Sequence, residues 1–183
     1  IERVMYQFID GRSRWADARF PWRVWGSDNH NMILKSTLLM ACQIVKRAPA
    51  YGGSAIIHTD GRTVDEHLDQ WTQWFFEYFR QRAREGLNCE IRSSGYTKYT
   101  LGSWYNVADL ADNPDLRAIA SVCISLFWAD LGCEFVPNTG LRAGAETRWY
   151  KTSIPNANDS IIDMAYSYNL QDLVRSYHPF NIV

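Results

Sequence analysis

Residues 63–86 carry the strongest structural pattern in the chain, an amphipathic helix with a signal at each end. Thr63-Val64-Asp65-Glu66 has the spacing of a capping box, in which the Thr and Glu side chains each bond the other residue's backbone N–H. Apolar residues then recur at three-to-four spacing along one face: Val64, Leu68, Trp71, Phe75 and Tyr78/Phe79. Gly86 fits the left-handed position after a helix, with Leu87 folding back over the last turn.

Other segments predict further helices of a more apolar kind. Residues 30–47 and 114–131 are hydrophobic almost all round, which is typical of helices buried within a larger helical array. Asn113 and Pro114 suit the N-cap and first helical position of the second one. Weaker helical patterns cover residues 99–112 and the segment after Asn158-Asp159, whose apolar residues are Ile161, Ile162, Met164 and Ala165.

The order of these segments predicts an all-α fold. No segment alternates convincingly with the period of a strand. Successive apolar helices favour stacked helical hairpins, forming either a bundle or part of an incomplete (α/α) toroid. Residues 1–26 are rich in aromatic and Arg residues and contain Pro21, so we expect them to be irregular.

Length and charge exclude several classes. The 183 residues suffice for one domain, residues 1–183, and a net charge of −1 gives no reason to expect nucleic acid as a partner. No apolar run reaches the ~18 residues of a transmembrane helix. The chain has neither an initiator Met nor a signal-type apolar segment, so we expect an internal piece of a longer protein. The sequence leaves the oligomeric state undetermined.

The four cysteines, Cys42, Cys89, Cys123 and Cys133, lack C-x-x-C spacing, which argues against a zinc site. Three of them lie in apolar or helical contexts and are expected to be buried free thiols. A disulfide through Cys89 or Cys133 stays open.

Two polar clusters could carry chemistry. In the first, residues 27–32, His30 stands between two Asn residues where a long apolar helix begins. His58 is expected in a turn and His67 on a helix surface, and the four histidines share no metal-ligand spacing. The second cluster is residues 90–99, where Arg92 offers a planar fork to a carboxylate. A Tyr near an Arg and a His can transfer protons. We expect the two clusters to meet in space; the alternative is a packed loop in which Arg92 pairs with Glu90.

The arrangement of these clusters resembles a known family. An Asn29-His30 pair opens a long apolar helix, and a Glu90…Arg92…Tyr96-x-x-Tyr99 segment follows the next helix. This order is similar to that of the α/α-toroid polysaccharide lyases, the alginate lyases above all, and of the related heparinase-like bacterial proteins. The helix between the clusters is similar in character, with Trp74, Phe75, Tyr78, Phe79, Arg82, Ala83 and Gly86. The resemblance covers roughly residues 22–150.

The resemblance implies β-elimination on a uronic-acid polysaccharide, without a metal or other cofactor. It assigns Asn29 and Arg92 to neutralising the substrate carboxylate, which acidifies the C5 proton. His30 becomes the base or a ligand of the carboxylate. Tyr99 becomes the general acid that protonates the departing glycosidic oxygen, with a second role as base left open and Tyr96 as its alternative. A periplasmic or secreted bacterial protein with an acidic polysaccharide as partner is implied as well.

The predicted substrate-binding residues are Tyr96, Glu90, Trp25, Arg142 and Arg148. Each has a plainer alternative, since the aromatic N-terminal residues suit a packed arm and the loop with Arg142 and Arg148 suits a solvated loop. Two other functions stay open. A non-catalytic glycan-binding or structural toroid would use an aromatic wall of Trp15, Trp22, Trp25 and Trp104. A glycoside hydrolase would need two carboxylates, for which Asp28 and Glu90 are available.

Overall fold

The computed structural model describes residues 1–12, 27–51, 60–87, 93 and 96–133, together with the backbone of two short strands at 135–136 and 141–142. The helices are α1 (Glu2–Arg12), α2 (Asp28–Arg47), α3 (Val64–Glu85), α4 (Thr97–Leu110) and α5 (Pro114–Gly132). The predicted all-α fold class is therefore confirmed. A minimal antiparallel pair, β1 (Phe135–Val136) with β2 (Leu141–Arg142), is the one β element in the described part of the chain, and the sequence did not predict it.

Helices α2 to α5 begin and end within two residues of their predicted bounds. Helix α1 shows that the expectation of an irregular N-terminus was wrong for residues 2–12. Its Ile9 is fully buried, and Met5, Tyr6 and Phe8 pack against the core, so this segment is an amphipathic helix in its own right. Residues 13–26, which hold Pro21, and the helix expected after Asn158-Asp159 lie outside the described residues.

The predicted caps of α3 and α5 are present. Thr63 Oγ1 accepts a hydrogen bond from the backbone N–H of Glu66 at 3.2 Å, and Glu66 Oε2 accepts from the backbone N–H of Thr63 at 2.7 Å. Asn113 Oδ1 accepts from the N–H groups of Asp115 and Leu116, both at 3.0 Å. Gly86 has a positive φ of 121°, but its ψ of 144° lies outside the left-handed helical region that we expected. Leu87 does pack against the core.

Helices α2 and α3 form an antiparallel hairpin. Lys46, in the last turn of α2, pairs with Asp65, in the first turn of α3, at 2.9 Å. Nearer the start of α2, the ammonium of Lys35 lies 4.1 Å from the ring centroid of Trp74, well along α3. A residue late in α2 thus contacts a residue early in α3, and a residue earlier in α2 contacts one later in α3. This pattern defines an antiparallel pair.

Helices α4 and α5 form a second antiparallel hairpin by the same criterion. Arg117 Nη1 donates to the carbonyl oxygen of Ala111 at 2.8 Å where α4 ends and α5 begins. Farther from that turn, Trp128 Nε1 donates to the phenolic oxygen of Tyr105 at 2.7 Å.

The two hairpins stack side by side, with α2 against α4 and α3 against α5. Gln43 Nε2, near the end of α2, donates to the carbonyl oxygen of Leu110, at the end of α4, at 2.9 Å. Cys123 Sγ on α5 lies 3.4 Å from the carbonyl oxygen of Phe79 on α3. The contact between Gln43 and Leu110 puts the C-terminal ends of α2 and α4 together at one end of the stack. Helices α2 and α4 therefore run in the same direction. Stacked helical hairpins are thus what the sequence predicted.

An aromatic core holds the hairpins together. Trp104 on α4 lies edge-on to Tyr78 and Phe79 of α3, with ring centroids 6.2 and 5.8 Å apart. Its indole N–H donates to the phenolic oxygen of Tyr78 at 3.2 Å. The largest fully buried side chains are Trp71, Trp74, Trp104, Phe75, Phe79 and Phe127. Trp104 is therefore a core residue, and its prediction as part of an exposed aromatic wall was wrong.

Candidate functional site

The stack has two distinct ends. We call the end where α2 and α4 begin and α3 finishes the site end, because the first polar cluster and the described residues of the second lie there. We call the other end, where α2 and α4 finish and α3 and α5 begin, the cap end. Nine of the eleven buried polar side chains among the described residues lie toward the site end: Asp28, Asn29, Asn31, Lys35, Ser36, Ser93, Thr97, Thr100 and Ser103.

The first turn of α2 is built around Ser27. Its extended backbone suits an N-cap, yet its hydroxyl makes no capping hydrogen bond to the helix backbone. The hydroxyl instead bonds Asn29 Oδ1 and lies 2.8 Å from His30 Nδ1. The Ser27 carbonyl oxygen accepts from Asn31 Nδ2 at 2.8 Å. The cap serine therefore orients the side chains of this turn.

The Ser27 contacts are compatible with one tautomer of His30 in particular. If the Ser27 hydroxyl donates to Asn29 Oδ1, its oxygen can accept from an Nδ1–H of the imidazole. A neutral imidazole with its proton on Nδ1 carries its lone pair on Nε2. His30 is exposed, so Nε2 can accept a proton from a bound molecule. Asn29 is only 4% exposed. Ser27 bonds its Oδ1 atom, so Nδ2 is the donor that Ser27 does not engage.

Lys35 is the least expected residue of this end. It lies on the buried side of α2, is 5% exposed, and its ammonium stacks over the indole of Trp74. Burial lowers the pKa of Lys35 to about 8, while the negative charge of Asp28 opposes that shift. Asp28 is itself 5% exposed. A lysine and an aspartate thus lie two helical turns apart within the interior.

Helix α3 adds a phenol and a guanidinium at the same level. Burial raises the pKa of Tyr78 far above its ordinary value, so its phenol stays protonated. The guanidinium carbon of Arg82 lies 5.5 Å from the centroid of the Tyr78 ring. Arg82 Nε is buried and has no hydrogen-bond partner among the described residues. The described side chains of this layer therefore include two cations, Lys35 and Arg82, and one anion, Asp28.

Helix α4 supplies hydroxyl groups and the exposed tyrosine. The Ser93 hydroxyl accepts from the backbone N–H of Tyr96 at 3.0 Å and so supports the helix start. Thr97 and Thr100 face inward, and in the described part of the chain Thr100 Oγ1 is buried without a hydrogen-bond partner. Tyr99 faces outward and is 45% exposed, and Tyr96 is half-buried. The ammonium of Lys98 lies 5.0 Å from the Tyr99 ring centroid.

The structure therefore brings the first polar cluster and the described residues of the second, Ser93 and residues 96–99, to one end of the molecule. His30 and Tyr99 lie on the first turns of two helices that run side by side in the same direction, and both side chains are accessible. Within the described residues no hydrogen bond joins them directly. Trp25, Glu90, Arg92 and Arg148 lie outside the described residues, and Arg142 is described only as backbone in β2.

Of two further predictions, the one about His67 is wrong and the one about Cys42 and Cys123 is confirmed. The placement of His67 on a helix surface was wrong, because its side chain is fully buried and its Nε2 lies 3.2 Å from Asp60 Oδ1. The turn before α3 folds over it, which the helical pattern alone cannot indicate. Cys42 and Cys123 are buried free thiols as predicted, and burial raises the pKa of Cys42 to about 12 and of Cys123 to about 11. Cys133 is free and exposed.

Sequence reasoning missed Lys35 and Thr100. A usable signal was present, because Lys35-Ser36-Thr37 interrupts an otherwise apolar helix in the middle of its hydrophobic run. A charged residue on a helix that is buried nearly all round must be paired or serve a ligand. Thr100 offered no such signal, since threonine is unremarkable in a helix that also bears Gly102 and Ser103.

A depression lies at the cap end. An open cleft of about 260 Å³ is lined by Gln43, Leu68, Asp69, Thr72, Asp112, Asn113 and Leu116. Gln43 and Asn113 already bond backbone groups, and Asp112 pairs with Arg47. This cleft therefore offers a ligand few free polar groups.

The described residues contain no group of three or more His, Cys, Asp or Glu side chains that could hold a metal ion. None of the helices in the described ranges combines the length and apolar character needed to cross a bilayer. Compared with family models, with curated proteins and with solved structures, the chain shows no significant match.

Proposed function

We propose that this chain is a polysaccharide lyase that cleaves a uronic-acid polysaccharide of the alginate type by β-elimination at the site end. The observation that supports the proposal most is the shared position of His30 and Tyr99. Each is exposed on the first turn of its helix, and the two helices begin at the same end of the stack.

The charge at this end suits an anionic sugar. The first turns of α2 and α4 present backbone N–H groups that can donate to an anion, while the C-termini of α3 and α5 bring the opposite dipole ends to the same end of the stack. Beneath them lie the buried Lys35 and the half-buried Arg82, with the buried Asp28 as an opposite charge. A uronate carboxylate would offset the second positive charge of this group, whereas a neutral glycan would not.

The proposed reaction removes the C5 proton and breaks the bond from C4 to the glycosidic oxygen. His30 accepts the proton through Nε2, the electron pair of the C5–H bond forms the C4–C5 double bond, and the leaving oxygen takes a proton from the Tyr99 phenol. A side-chain base can abstract the C5 proton only when the carboxylate charge is neutralised. In the proposal, Asn29 Nδ2 and Arg92 neutralise the carboxylate charge, and Tyr96 is the alternative general acid.

The proposal carries the other expectations of the family with it. Tyr96, Glu90, Trp25, Arg142 and Arg148 would bind the sugar chain on either side of the reacting bond. A periplasmic or secreted location follows because acidic polysaccharides of this kind are extracytoplasmic. The alternative is a non-catalytic glycan-binding protein, but the burial of Trp104 removes one of the four residues proposed for its aromatic wall.

The test is digestion of alginate and of other uronic-acid polysaccharides, followed by near-ultraviolet absorbance of the new double bond. His30→Ala and Tyr99→Phe should each lower the rate by at least about 100-fold, the usual contribution of general acid–base catalysis. Tyr51→Phe is the matched control, since Tyr51 follows α2 at the cap end and packs on Tyr6. It should keep the full rate.

Absence of an absorbing product with every uronic-acid polysaccharide would overturn the lyase proposal. Binding of such a polysaccharide that survives His30→Ala, without product, would instead establish the glycan-binding alternative. Equal rates for Tyr99→Phe and Tyr51→Phe would remove Tyr99 from the proposed chemistry.

A further inference from the structure

Two polar atoms in the interior of the site end have no hydrogen-bond partner among the described residues. One is Thr100 Oγ1, on a side chain that is 1% exposed, and the other is Nε of the half-buried Arg82. A buried donor without a partner destabilises the fold, and a charged donor does so more than a neutral one. Native proteins keep few such atoms, so this pair calls for a cause other than helix packing.

The packing of α3 and α4 brings these two atoms to one level of the stack. The two helices occupy opposite corners, because each packs on α2 and on α5. They meet where Trp104 Nε1 donates to the Tyr78 phenol at 3.2 Å. Arg82 follows Tyr78 by four residues, and Thr100 precedes Trp104 by four. Because α3 and α4 run in opposite directions, both residues lie one helical turn beyond that contact, toward the site end.

Ring contacts place the Arg82 guanidinium on the core side of α3. Its carbon lies 5.5 Å from the centroid of the Tyr78 ring, and this ring stacks on Trp74 with centroids 5.1 Å apart. The Lys35 ammonium lies 4.1 Å from the Trp74 ring centroid. Two cations therefore flank one column of aromatic rings, and Arg82 occupies its end nearer to the site end.

The charges of this layer favour an anionic ligand. Lys35 and Arg82 are cations, and Asp28 is the one buried carboxylate among the described residues. Asp28 lies two helical turns before Lys35 on α2. An anion beside Arg82 would balance the second cation, whereas a cationic ligand would add to the excess of positive charge.

A carboxylate has the acceptors that these two atoms need. The Nε–H of Arg82 and the hydroxyl of Thr100 are both donors, and a carboxylate accepts through two oxygens. Donors on opposite helices can thus each bond a different oxygen of one group. A neutral sugar hydroxyl would leave the charge unbalanced, and a phosphate would bring about −1.5 to −2 charges against an excess of one.

We propose that Arg82 Nε and Thr100 Oγ1 bind one carboxylate group between α3 and α4 at the site end. Because Arg82 is half-buried, its guanidinium lies at the boundary between core and solvent, where a small acid can approach it. The carboxylate belongs either to a free organic acid or to a uronate unit of a polysaccharide. These residues differ from Asn29 and Arg92, which the lyase proposal assigns to the reacting sugar, and binding here does not rest on lyase activity.

The side-chain N–H of Arg82 allows a direct test by proton–nitrogen correlation NMR of the full chain. Arg82→Lys keeps the charge but lacks the Nε–H, so the signal that disappears in this variant belongs to Arg82. In the unmodified chain that signal should shift to saturation with sodium glucuronate, while neutral glucose and sodium chloride at the same concentrations should leave it in place. Glucuronate has no glycosidic bond to cleave, so its binding is decided separately from the lyase reaction.

Titration with sodium acetate distinguishes the two sources of the carboxylate. Equal affinity for acetate and glucuronate would identify a site for free organic acids. Tighter binding of glucuronate would identify a site for a uronate unit. Both results support the proposal. A signal that neither carboxylate moves, or that chloride moves to the same extent, would overturn it.

Thr100→Val tests the second donor at nearly constant volume. It should weaken binding of the carboxylate at least about tenfold, because a hydrogen bond to a charged acceptor is lost. Thr100→Ser keeps the hydroxyl and should retain most of the affinity. The matched control is Thr37→Val, since Thr37 is exposed on α2 and donates to the Ile33 carbonyl at 2.7 Å. Equal affinities in Thr100→Val and Thr37→Val would overturn the proposal, and the Arg82 titration decides it should Thr100→Val fail to fold.

Discussion

The two ends of the helix stack use polar residues in opposite ways. At the cap end, polar side chains join one backbone segment to another. Gln43 accepts from the N–H of Asp112 at 2.8 Å and donates to the carbonyl of Leu110, so one side chain ties α2 to the turn between α4 and α5. The Thr63 and Asn113 caps complete the helix starts at this end.

Among the described residues, the site end has more buried polar side chains than the cap end. Ser27 directs its hydroxyl to Asn29 and His30 instead of to the helix backbone. Lys35 is buried against an indole ring, and Thr100 Oγ1 has no partner. Burying a charge or a hydroxyl lowers stability unless a partner compensates it.

We expect this difference to separate polar residues that specify the fold from polar residues kept for a ligand. Helix ends leave backbone N–H and C=O groups that need hydrogen-bond partners. At the cap end, a few side chains supply those partners. The site end holds buried charge that the helices do not require, which is typical of positions where function opposes stability.

The largest expected effect concerns the charge on Lys35. The folded pKa of Lys35 is lowered to about 8 from an ordinary value near 10.5, chiefly by burial. Between these pH values the unfolded chain binds more protons than the folded chain, so the free energy of unfolding should rise as pH rises through this window. A shift of this size corresponds to a rise of up to about 3 kcal/mol. Urea denaturation at a series of pH values measures it.

The matched variants for this experiment are Lys35→Met and Lys46→Met. The first removes the buried amine, and the rise in stability above pH 8 should disappear. The second removes a lysine that is 46% exposed at the cap end, and the rise should persist. An identical pH profile in Lys35→Met and the unmodified chain would show that folding leaves the pKa of Lys35 unchanged.

Gln43→Ala should have the next largest effect. The change removes two hydrogen bonds, to the Leu110 carbonyl and the Asp112 N–H, at a side chain that is 5% exposed. We expect the free energy of unfolding to fall by about 2 kcal/mol. Chemical denaturation provides the measurement, and Gln70→Ala is the control on the half-buried side of α3. A loss no larger than that of the control would mean that the cap end is not fastened by Gln43.

The sequence predicted the helices well because their signals are local. The Thr63–Glu66 capping box and the Asn113-Pro114 start each lie within four residues, and both form as expected. The stacked hairpins followed from the order of apolar segments. Helix α1 was missed because Pro21 was taken to govern the whole N-terminal stretch, although a proline disrupts only the residues near it.

The site was less predictable because it depends on which helices lie side by side. Nothing within residues 27–36 shows that Lys35 will face Trp74, since that contact requires the antiparallel packing of α2 on α3. His67 was placed at the surface for the same reason, because only the folded turn brings Asp60 over it. The shared end of His30 and Tyr99 likewise arises from the parallel stacking of α2 and α4.

The smallest expected effect compares one substitution at both ends. Thr63→Val removes a hydroxyl that accepts from the Glu66 N–H, and loss of this cap should lower the free energy of unfolding by about 1 kcal/mol. Thr100→Val removes a buried hydroxyl that has no partner, at nearly constant volume and helix propensity. It should leave stability unchanged or raise it by up to about 1 kcal/mol. Thermal and urea denaturation of the two variants measure the contrast.

The same pair of variants separates stability from binding. If the Thr100 hydroxyl is kept for a ligand, Thr100→Val should weaken binding of a uronic-acid oligosaccharide even as it stabilises the fold, while Thr63→Val should weaken the fold and leave binding intact. A destabilised Thr100→Val would show that the hydroxyl serves the fold after all, and the contrast between the two ends would then rest on Lys35. Unchanged binding in a stable Thr100→Val would place the ligand away from the buried layer, nearer the exposed side chains of His30 and Tyr99.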